Sequence, residues 1–535
     1  MRGYNLNSKI EIPLKNTDQG MVDYTESLAD LFVNVSDPLT RKKKGQYFTP
    51  GKISELMIKQ FQNIEKYEKI KVLDPGAGLG IFESAFCEHL RFLGKNVKVS
   101  FDIYENDFEI IPYLEQNMRL CKEYMEEEGF EVSYNILKED FLLAYSHIFH
   151  NQNTFSEKNN ENYDFIISNP PYYKIKTSSS QVQHMKHIIN GQPNIYPFFM
   201  ALSAKLLKKE GQLTLLTPRS FCSGLYFKNF RKFFFDTVRP FRVHLFESRR
   251  KIFSKYSVNQ ENIILTAIKS PNIPENVQIS VSNGIPKLNE DIQIRNTTYD
   301  KIIFQRNDDI IMRIPTLELE ESIAENIDKF KDNLATIGFK VSTGRVVPFR
   351  AKEFLCENAQ NCKDSVPLIW MQNVFHGKVN WPLKIGDKFI KIKNCNESRN
   401  LLIANSNYVF IKRFSAKDDK QRINAAVFLK NDFDVDLIGI ENHVNYIHKK
   451  EGQMYKNEAY GIMALLNSEI YNRYFQIENG NTQVNAKEIN SFPFPCLDIV
   501  RKLGDKVIEI KEFEQASIDK IVMDILNLED SLEQS

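Results

Sequence analysis

The sequence predicts an α/β fold: a Rossmann-like domain on a doubly wound, mostly parallel sheet, followed by a mixed α/β domain. Three observations predict it. Apolar runs of strand length alternate with helical periodicity between residues 51 and 268. Every motif with chemical character falls where one of those strand segments ends. The alternation fades after Pro271, Pro274 and Pro286. Alternating strands and helices close into parallel sheets through right-handed crossovers, and such sheets bind ligands outside the carboxyl ends of their strands.

The elements follow in order. Residues 51–68 set Ile53, Leu56, Met57, Gln60 and Phe61 on one helical stripe. Lys69–Asp74 (KIKVLD) is a short buried strand, broken by Pro75-Gly76-Ala77-Gly78-Leu79-Gly80, and an apolar helix runs from Ile81 to Leu93. Val97–Tyr104 is the next strand and 108–128 the next helix. The segment Tyr134–Leu137 ends at Lys138-Glu139-Asp140-Phe141. The polar stretch 151–162 is a surface loop, and Tyr163–Ser168 is a strand running straight into Asn169-Pro170-Pro171-Tyr172. A helix (Tyr196–Leu207), a strand (Gln212–Leu216), a helix (Phe227–Val238) and two strands (Arg242–Phe246, Glu261–Ile268) complete the pattern.

A chain of 535 residues exceeds what one core supports, so two or three domains are expected. The reading divides it into an N-terminal extension (1–40), a catalytic domain (41–270) and a second domain (271–535). With 42% hydrophobic and 26% charged residues the composition is that of an ordinary globular protein. The net charge of +1 balances basic runs at 41–44 and 249–251 against acidic ones such as Glu126–Glu128. It neither demands nor excludes a polyanionic partner, since a nucleic-acid cleft needs only one basic face. The seven cysteines (87, 121, 222, 356, 362, 395 and 496) form no CxxC pair and no Cys/His cluster of zinc spacing. They read as reduced thiols of a cytoplasmic protein with no metal site. The N-terminus lacks the apolar region of a signal peptide, and no run approaches the ~20 apolar residues that span a bilayer.

The glycine-rich turn after Asp74 suits close approach of the backbone to a ligand, at the free N–H groups of a helix N-terminus. Gly76 and Gly78 are its candidate contacts. Glu105, at the end of the second strand, is placed to accept from both ribose hydroxyls of an adenosine. The loop is not a GxGxxG fingerprint, which disfavours a dehydrogenase. At the third strand end, Asp140 would accept from an adenine amino group and Phe141 cover its face; the competing reading of Asp140 is a helix N-cap.

Asn169-Pro170-Pro171-Tyr172 is the most informative tetrapeptide. Two prolines remove N–H donors and leave the Pro170 carbonyl as an acceptor beside the Asn169 side-chain oxygen. Two adjacent acceptors match a primary amine conjugated to an aromatic ring. By accepting both N–H bonds they favour positive charge on nitrogen as it attacks, and no prior deprotonation is needed. Tyr172 offers a flat face for stacking.

In this order, with Gly45-Gln46-Tyr47-Phe48-Thr49-Pro50 ahead of them, these motifs resemble the gamma-class DNA N6-adenine methyltransferases of restriction–modification systems. The resemblance covers about residues 40–270. It implies S-adenosylmethionine as cofactor, with Tyr47 in the segment that closes over it, Thr49 and Asp74 at its methionine end, Glu105 on the ribose and Asp140 with Phe141 on the adenine. It implies that Asn169 and Pro170 hold the target amine of a flipped adenine in double-stranded DNA, that Tyr172 stacks on the base, and that Phe253 or Tyr256 supplies a second aromatic face. A cognate restriction endonuclease is the expected genetic partner; monomer and dimer stay open.

The second domain would read the DNA sequence. Its candidate segments mix basic, amide and aromatic residues: 343–350 with Arg345, 412–417 with Arg413, and 479–485 with Asn481 and Gln483. Arg and Lys reach guanine or phosphate, Asn and Gln reach adenine. Trp370 and Trp381 read as core. The rivals are methyltransferases acting on RNA adenine or protein glutamine, and a non-catalytic DNA-binding specificity subunit. The intact tetrapeptide argues against the last. The segment before residue 41 is too short for a nuclease domain.

Overall fold

The structure is a computed structural model. It describes residues 12–149, 162–188, 194–247, 261–286, 292–356, 364–375, 377–383, 389–415, 421–479, 483–510 and 513–528. The chain forms two compact units, Met1–Thr316 and Leu317–Ser535.

The first unit opens with helices α1 (Met21–Val35), α2 (Pro38–Lys44) and α3 (Gly51–Ile58). Strands β1 (Lys69–Asp74), β2 (Lys98–Tyr104), β3 (Val132–Leu137) and β4 (Tyr163–Ser168) follow, with α4 (Ile81–Leu93), α5 (Ile111–Glu126) and α6 (Phe141–Tyr145) between them. Then come α7 (Ser180–His184), α8 (Tyr196–Leu206), β5 (Leu207–Pro218), α9 (Lys228–Thr237), β6 (Arg239–Phe246), β7 (Asn262–Ile268), β8 (Asn276–Ser282) and β9 (Gln293–Thr298). The strands form one nine-stranded sheet in the order β3-β2-β1-β4-β5-β7-β6-β8-β9. The first five in that order are parallel, β7 runs antiparallel between β5 and β6, β8 is parallel to β6, and β9 antiparallel to β8. The chain reverses its winding between β1 and β4, which sets a crevice at their carboxyl ends.

The α/β class and the mostly parallel sheet agree with the sequence reading, while three details differ. The helix expected over 51–68 stops at Ile58: Asn63 takes a left-handed conformation (φ 61). There the Gln62 backbone trades hydrogen bonds with the Gln212 side chain on β5 (2.9 Å each way). The first unit also continues past residue 270. Pro271 and Pro274 lie in the turn between β7 and β8, both of which belong to the sheet, so the compact unit ends at Thr316. Finally, residues 1–40 include core structure. Met21, Tyr24, Thr25, Leu28 and Phe32 line the buried side of α1, and the Thr25 hydroxyl reaches the side chains of Ser84 on α4 (2.8 Å) and Asn117 on α5 (3.1 Å).

The second unit contains a six-stranded and a five-stranded sheet and a group of helices. Helices Lys456–Asn467 and Leu497–Glu509 cross at Gly461 and Gly504, where an added Cβ would strike the Val500 and Asn457 carbonyl oxygens. Trp370 is buried and Trp381 packs beside a second cluster, as expected of core residues. Cys356 is disulfide-bonded to a partner outside the described residues, which corrects the expectation of reduced thiols throughout. The absence of CxxC spacing tests for zinc and redox motifs only and is silent about other pairings. Cys87, Cys121, Cys222, Cys395 and Cys496 are free. Among the described residues no helix is long and apolar enough to cross a membrane.

Candidate active site and nucleic-acid interface

A cavity of about 670 Å³ opens in the crevice where β1, β2, β3 and β4 end. Tyr47, Gly76, Gly78, Glu105, Asp140, Phe141, Asn169, Pro170 and Tyr172 all line it. Residues separated by up to 125 positions in sequence therefore share one wall system. Thr49 lines a smaller adjoining space together with Thr25, Phe48, Ala77 and Asn169. Asp74 lies beneath the glycine turn, 1% exposed.

The turn itself explains its glycines. Gly78 adopts φ +56 and a Cβ there would meet only the Phe48 ring at 3.5 Å; Gly80, at φ +83, has Asn117 and Leu114 too close for any side chain. Gly78 thus presents bare backbone to the cavity, while Gly80 lets the turn enter α4.

Four carboxyl groups surround this turn. Asp74 Oδ1 accepts from the Gly76 N–H at 3.0 Å. Burial, with Glu83 and Glu105 close by, pushes its pKa well above the usual carboxylate range. Glu83, on the first turn of α4, is raised to about 7 by burial. Glu105 accepts from the Gly78 N–H (3.0 Å) and the Asp107 N–H (2.8 Å), and burial raises it to about 7. Asp107 is the exception: burial opposes its charge, but hydrogen bonds from Lys44 (2.7 Å) and Gln46 (2.5 Å) hold it below the ordinary value. These two bonds fasten the segment after α2 to the loop after β2.

Asp140 caps α6, accepting from the Leu143 N–H at 3.0 Å. The helix-cap reading of this residue is therefore present in the same side chain that lines the cavity. Phe141 is 2% exposed, its ring packed among Tyr104, Tyr145 and Phe199. Phe199, from α8, joins the cavity wall unforeseen, although its segment YPFFMAL is conspicuously aromatic.

At the end of β4, the Asn169 Nδ2 donates to the Tyr47 carbonyl (3.2 Å) and to Thr49 Oγ1 (3.0 Å). Its Oδ1 meets the Tyr172 hydroxyl at 2.5 Å, and that hydroxyl also lies 2.7 Å from the Leu216 carbonyl. One hydroxyl proton serves only one of these acceptors at a time. Burial keeps the Tyr172 hydroxyl protonated by pushing its pKa far up. Phe253 and Tyr256 lie outside the described residues.

In the second unit the three segments singled out in sequence meet around residues 440–444. The Val346 N–H donates to the Ile440 carbonyl (2.9 Å) and the Asn442 N–H to the Val346 carbonyl (2.9 Å). The Arg413 N–H donates to the His443 carbonyl (2.9 Å), the Val484 N–H to the Arg413 carbonyl (2.8 Å), and Phe414 bridges to Gln483. Arg345 is exposed, and Arg413 Nη1 donates to the Asn442 carbonyl at 3.1 Å. The Glu441 carboxylate receives the His443 N–H (3.0 Å) and lies 2.8 Å from its ring Nδ1. This loop had no signal in sequence beyond one histidine. Asn481 lies outside the described residues.

A Rossmann-like sheet with an acid-flanked glycine turn beside an Asn-Pro-Pro-Tyr strand end defines a methyltransferase class of site. Residues 83–253 match the Eco57I restriction-modification methylase family. The chain is 31% identical over 506 residues to the type II methyltransferase M.PstI of Providencia stuartii, covering 94% of this chain and 97% of that one. It is 33% identical over 496 residues to the type II methyltransferase M.BsuBI of Bacillus subtilis, covering 92% and 96%. The chain belongs to the type II DNA methyltransferases of restriction–modification systems. Its fold also resembles that of the type IIL restriction-modification enzyme MmeI solved in complex with DNA, with a TM-score of 0.52 at 11% identity over 94% of this chain and 74% of that one.

Proposed function

We propose that the chain transfers a methyl group from S-adenosylmethionine to N6 of an adenine flipped out of double-stranded DNA, protecting the DNA from a cognate endonuclease. The observation that carries this is the Asn169 amide, held by its nitrogen so that Oδ1 is turned away from residues 47–49. Pro170 lines the same cavity, where its carbonyl would supply the second acceptor.

The cavity suits the cofactor chemically. Each Glu105 oxygen accepts one backbone N–H and retains a lone pair for a ribose hydroxyl. Gly76 and Gly78 admit the ligand against bare backbone, and Phe141 with Phe199 gives an aromatic wall for the adenine. When bound, the cofactor supplies an electrophilic methyl on a sulfonium that departs as a neutral thioether. Asn169 and Pro170 accept the two N–H bonds of the target amine and stabilise the positive charge that grows on its nitrogen. The extra proton leaves to solvent after transfer. Tyr172 presents its ring to the base, and its hydroxyl turns to the Leu216 carbonyl when the amine takes Asn169 Oδ1. The target must leave the duplex, because N6 cannot meet the methyl inside the stack. The protein acts in the cytoplasm, where the DNA is. Residues beyond 316 read the sequence through Arg345, Arg413, Asn481 and Gln483.

Sequencing with modified-base detection, on plasmid from cells expressing the chain, tests this. N6-methyladenine at one recurrent sequence is the expected result. Modified cytosine, or no modified DNA base, overturns it.

A further inference from the structure

We infer that Thr49 is the positioning residue that sets the orientation of the Asn169 amide for methyl transfer, in place of the contact to the cofactor's methionine end that the family resemblance implies. This rests on the proposal that Asn169 accepts the target amine.

A side-chain amide can sit in two orientations that exchange oxygen and nitrogen, and only one presents an acceptor to an amine. Here the choice is forced. The Tyr47 carbonyl is an acceptor only, so the amide nitrogen must face it, 3.2 Å away. That leaves the second amide proton, which goes to Thr49 Oγ1 at 3.0 Å. With both protons engaged on one side, Oδ1 turns to the other, towards Tyr172. Thr49 is 6% exposed, so its hydroxyl has little access to water as an alternative partner.

The segment that carries Thr49 is fixed on both flanks. Ahead of it, Lys44 and Gln46 bind the Asp107 carboxylate. Behind it, the Gly51 N–H at the start of α3 donates to Glu26 Oε1 of α1 at 2.8 Å. A Cβ on Gly51 would collide with Val22 and crowd that carboxylate, so the chain passes close to α1. The hydroxyl therefore has a defined place, and its removal leaves a partly buried amide proton unpaired next to the reacting nitrogen. A shift of the amide by a fraction of an ångström loosens the acceptor geometry without touching the cofactor wall at Glu105.

Thr49→Val keeps the shape and removes the hydroxyl. The expected result is a fall in the single-turnover methylation rate of about tenfold, the scale of one lost hydrogen bond. S-adenosylmethionine affinity by calorimetry stays within about twofold of wild type, as does the KM for DNA. Thr49→Ser should recover most of the rate. Comparing Thr49→Ser with Thr49→Ala reads the hydroxyl alone should the valine variant not fold. An unchanged rate in Thr49→Val, or a loss of cofactor affinity in proportion to the loss of rate, overturns the inference and returns Thr49 to the cofactor. Wild-type chain that binds cofactor but methylates no DNA overturns the proposed function itself, and this inference with it.

Discussion

Replacing Glu83 with glutamine should stabilise the cofactor-free protein, and by an amount that grows with pH. Glu83 is 1% exposed, and neither of its carboxyl oxygens has a hydrogen-bond partner among the described residues. Burial raises its pKa from 4.5 to about 7. An acid with a raised folded-state pKa holds its proton more tightly folded than unfolded. Its contribution to stability is complete below about 4.5 and is lost as pH rises through about 7. At 1.36 kcal/mol per pKa unit the full loss is about 3 kcal/mol. Glutamine has the same shape and never charges. The variant should therefore match wild type near pH 4 and exceed it by about 3 kcal/mol at pH 8, a rise of roughly 4–5 °C in the unfolding midpoint of the first unit. The relief extends to Asp74, whose pKa the Glu83 charge helps to raise. Thermal unfolding of both proteins across this pH range is the assay. A variant no more stable than wild type at pH 8 would show that the buried carboxylate is compensated in solution, and the reasoning would fail.

Three other outcomes follow from the site. Asn169→Ala should lose about a hundredfold or more in transfer rate while S-adenosylmethionine still binds; near-normal methylation by this variant rules out the amine-acceptor assignment. S-adenosylmethionine binding to wild type should weaken as pH falls below about 7, because Glu105, raised to about 7 by burial, then protonates and loses the charge that favours the ribose hydroxyls. Glu105→Gln should bind more weakly and lose that pH dependence, and calorimetry at pH 6 and 8 decides it. Replacing Arg345, Arg413 or Gln483 by alanine should relax discrimination at a single base position by roughly 1–3 kcal/mol, read from methylation of a library of near-cognate sites. A uniform loss across all sites instead marks a phosphate contact.

Most of the first unit was legible because its signals are local. Each strand was an apolar run, and each chemical motif stood at a strand end where a parallel sheet puts ligands. Misreadings arose where a distant partner decided the outcome. Asn63 breaks the helical stripe after Ile58 in the place where the Gln62 backbone pairs with Gln212, 150 residues away. The prolines at 271 and 274 look like a linker until β8 is seen pairing with β6. Helix α1 was legible in principle, since Met21, Thr25, Leu28 and Phe32 follow helical spacing. What its sequence could not disclose was that Glu26 would tether Gly51, and so brace the segment carrying Thr49. The second unit gave up least, because its candidate loops meet through backbone hydrogen bonds, which leave no residue-type signature.

The division at Thr316 changes how sequence choice should be transplanted. A hybrid joined at 270 takes β8 and β9 from the donor, and β8 must pair with β6 of the recipient along Arg242–Phe246. The short strands Ile303–Arg306 and Asp309–Met312 would also come from the donor, although the fully buried Arg231 of α9 is held by the Asp309 carboxylate and the Ile310 carbonyl. Stranding a buried guanidinium without those partners costs several kcal/mol, enough to unfold many domains. A hybrid joined between Thr316 and Leu317 keeps all of these pairings within one parent. With a family relative of different specificity as donor, the 316/317 hybrid should be folded and active and should methylate the donor's sequence. The hybrid joined at 270 should be unstable. Thermal unfolding, cofactor calorimetry and modified-base sequencing read the three properties separately. An active 316/317 hybrid that still methylates the recipient's sequence would mean that the first unit reads the bases, and that the loops around Glu441 and His443 serve some other purpose.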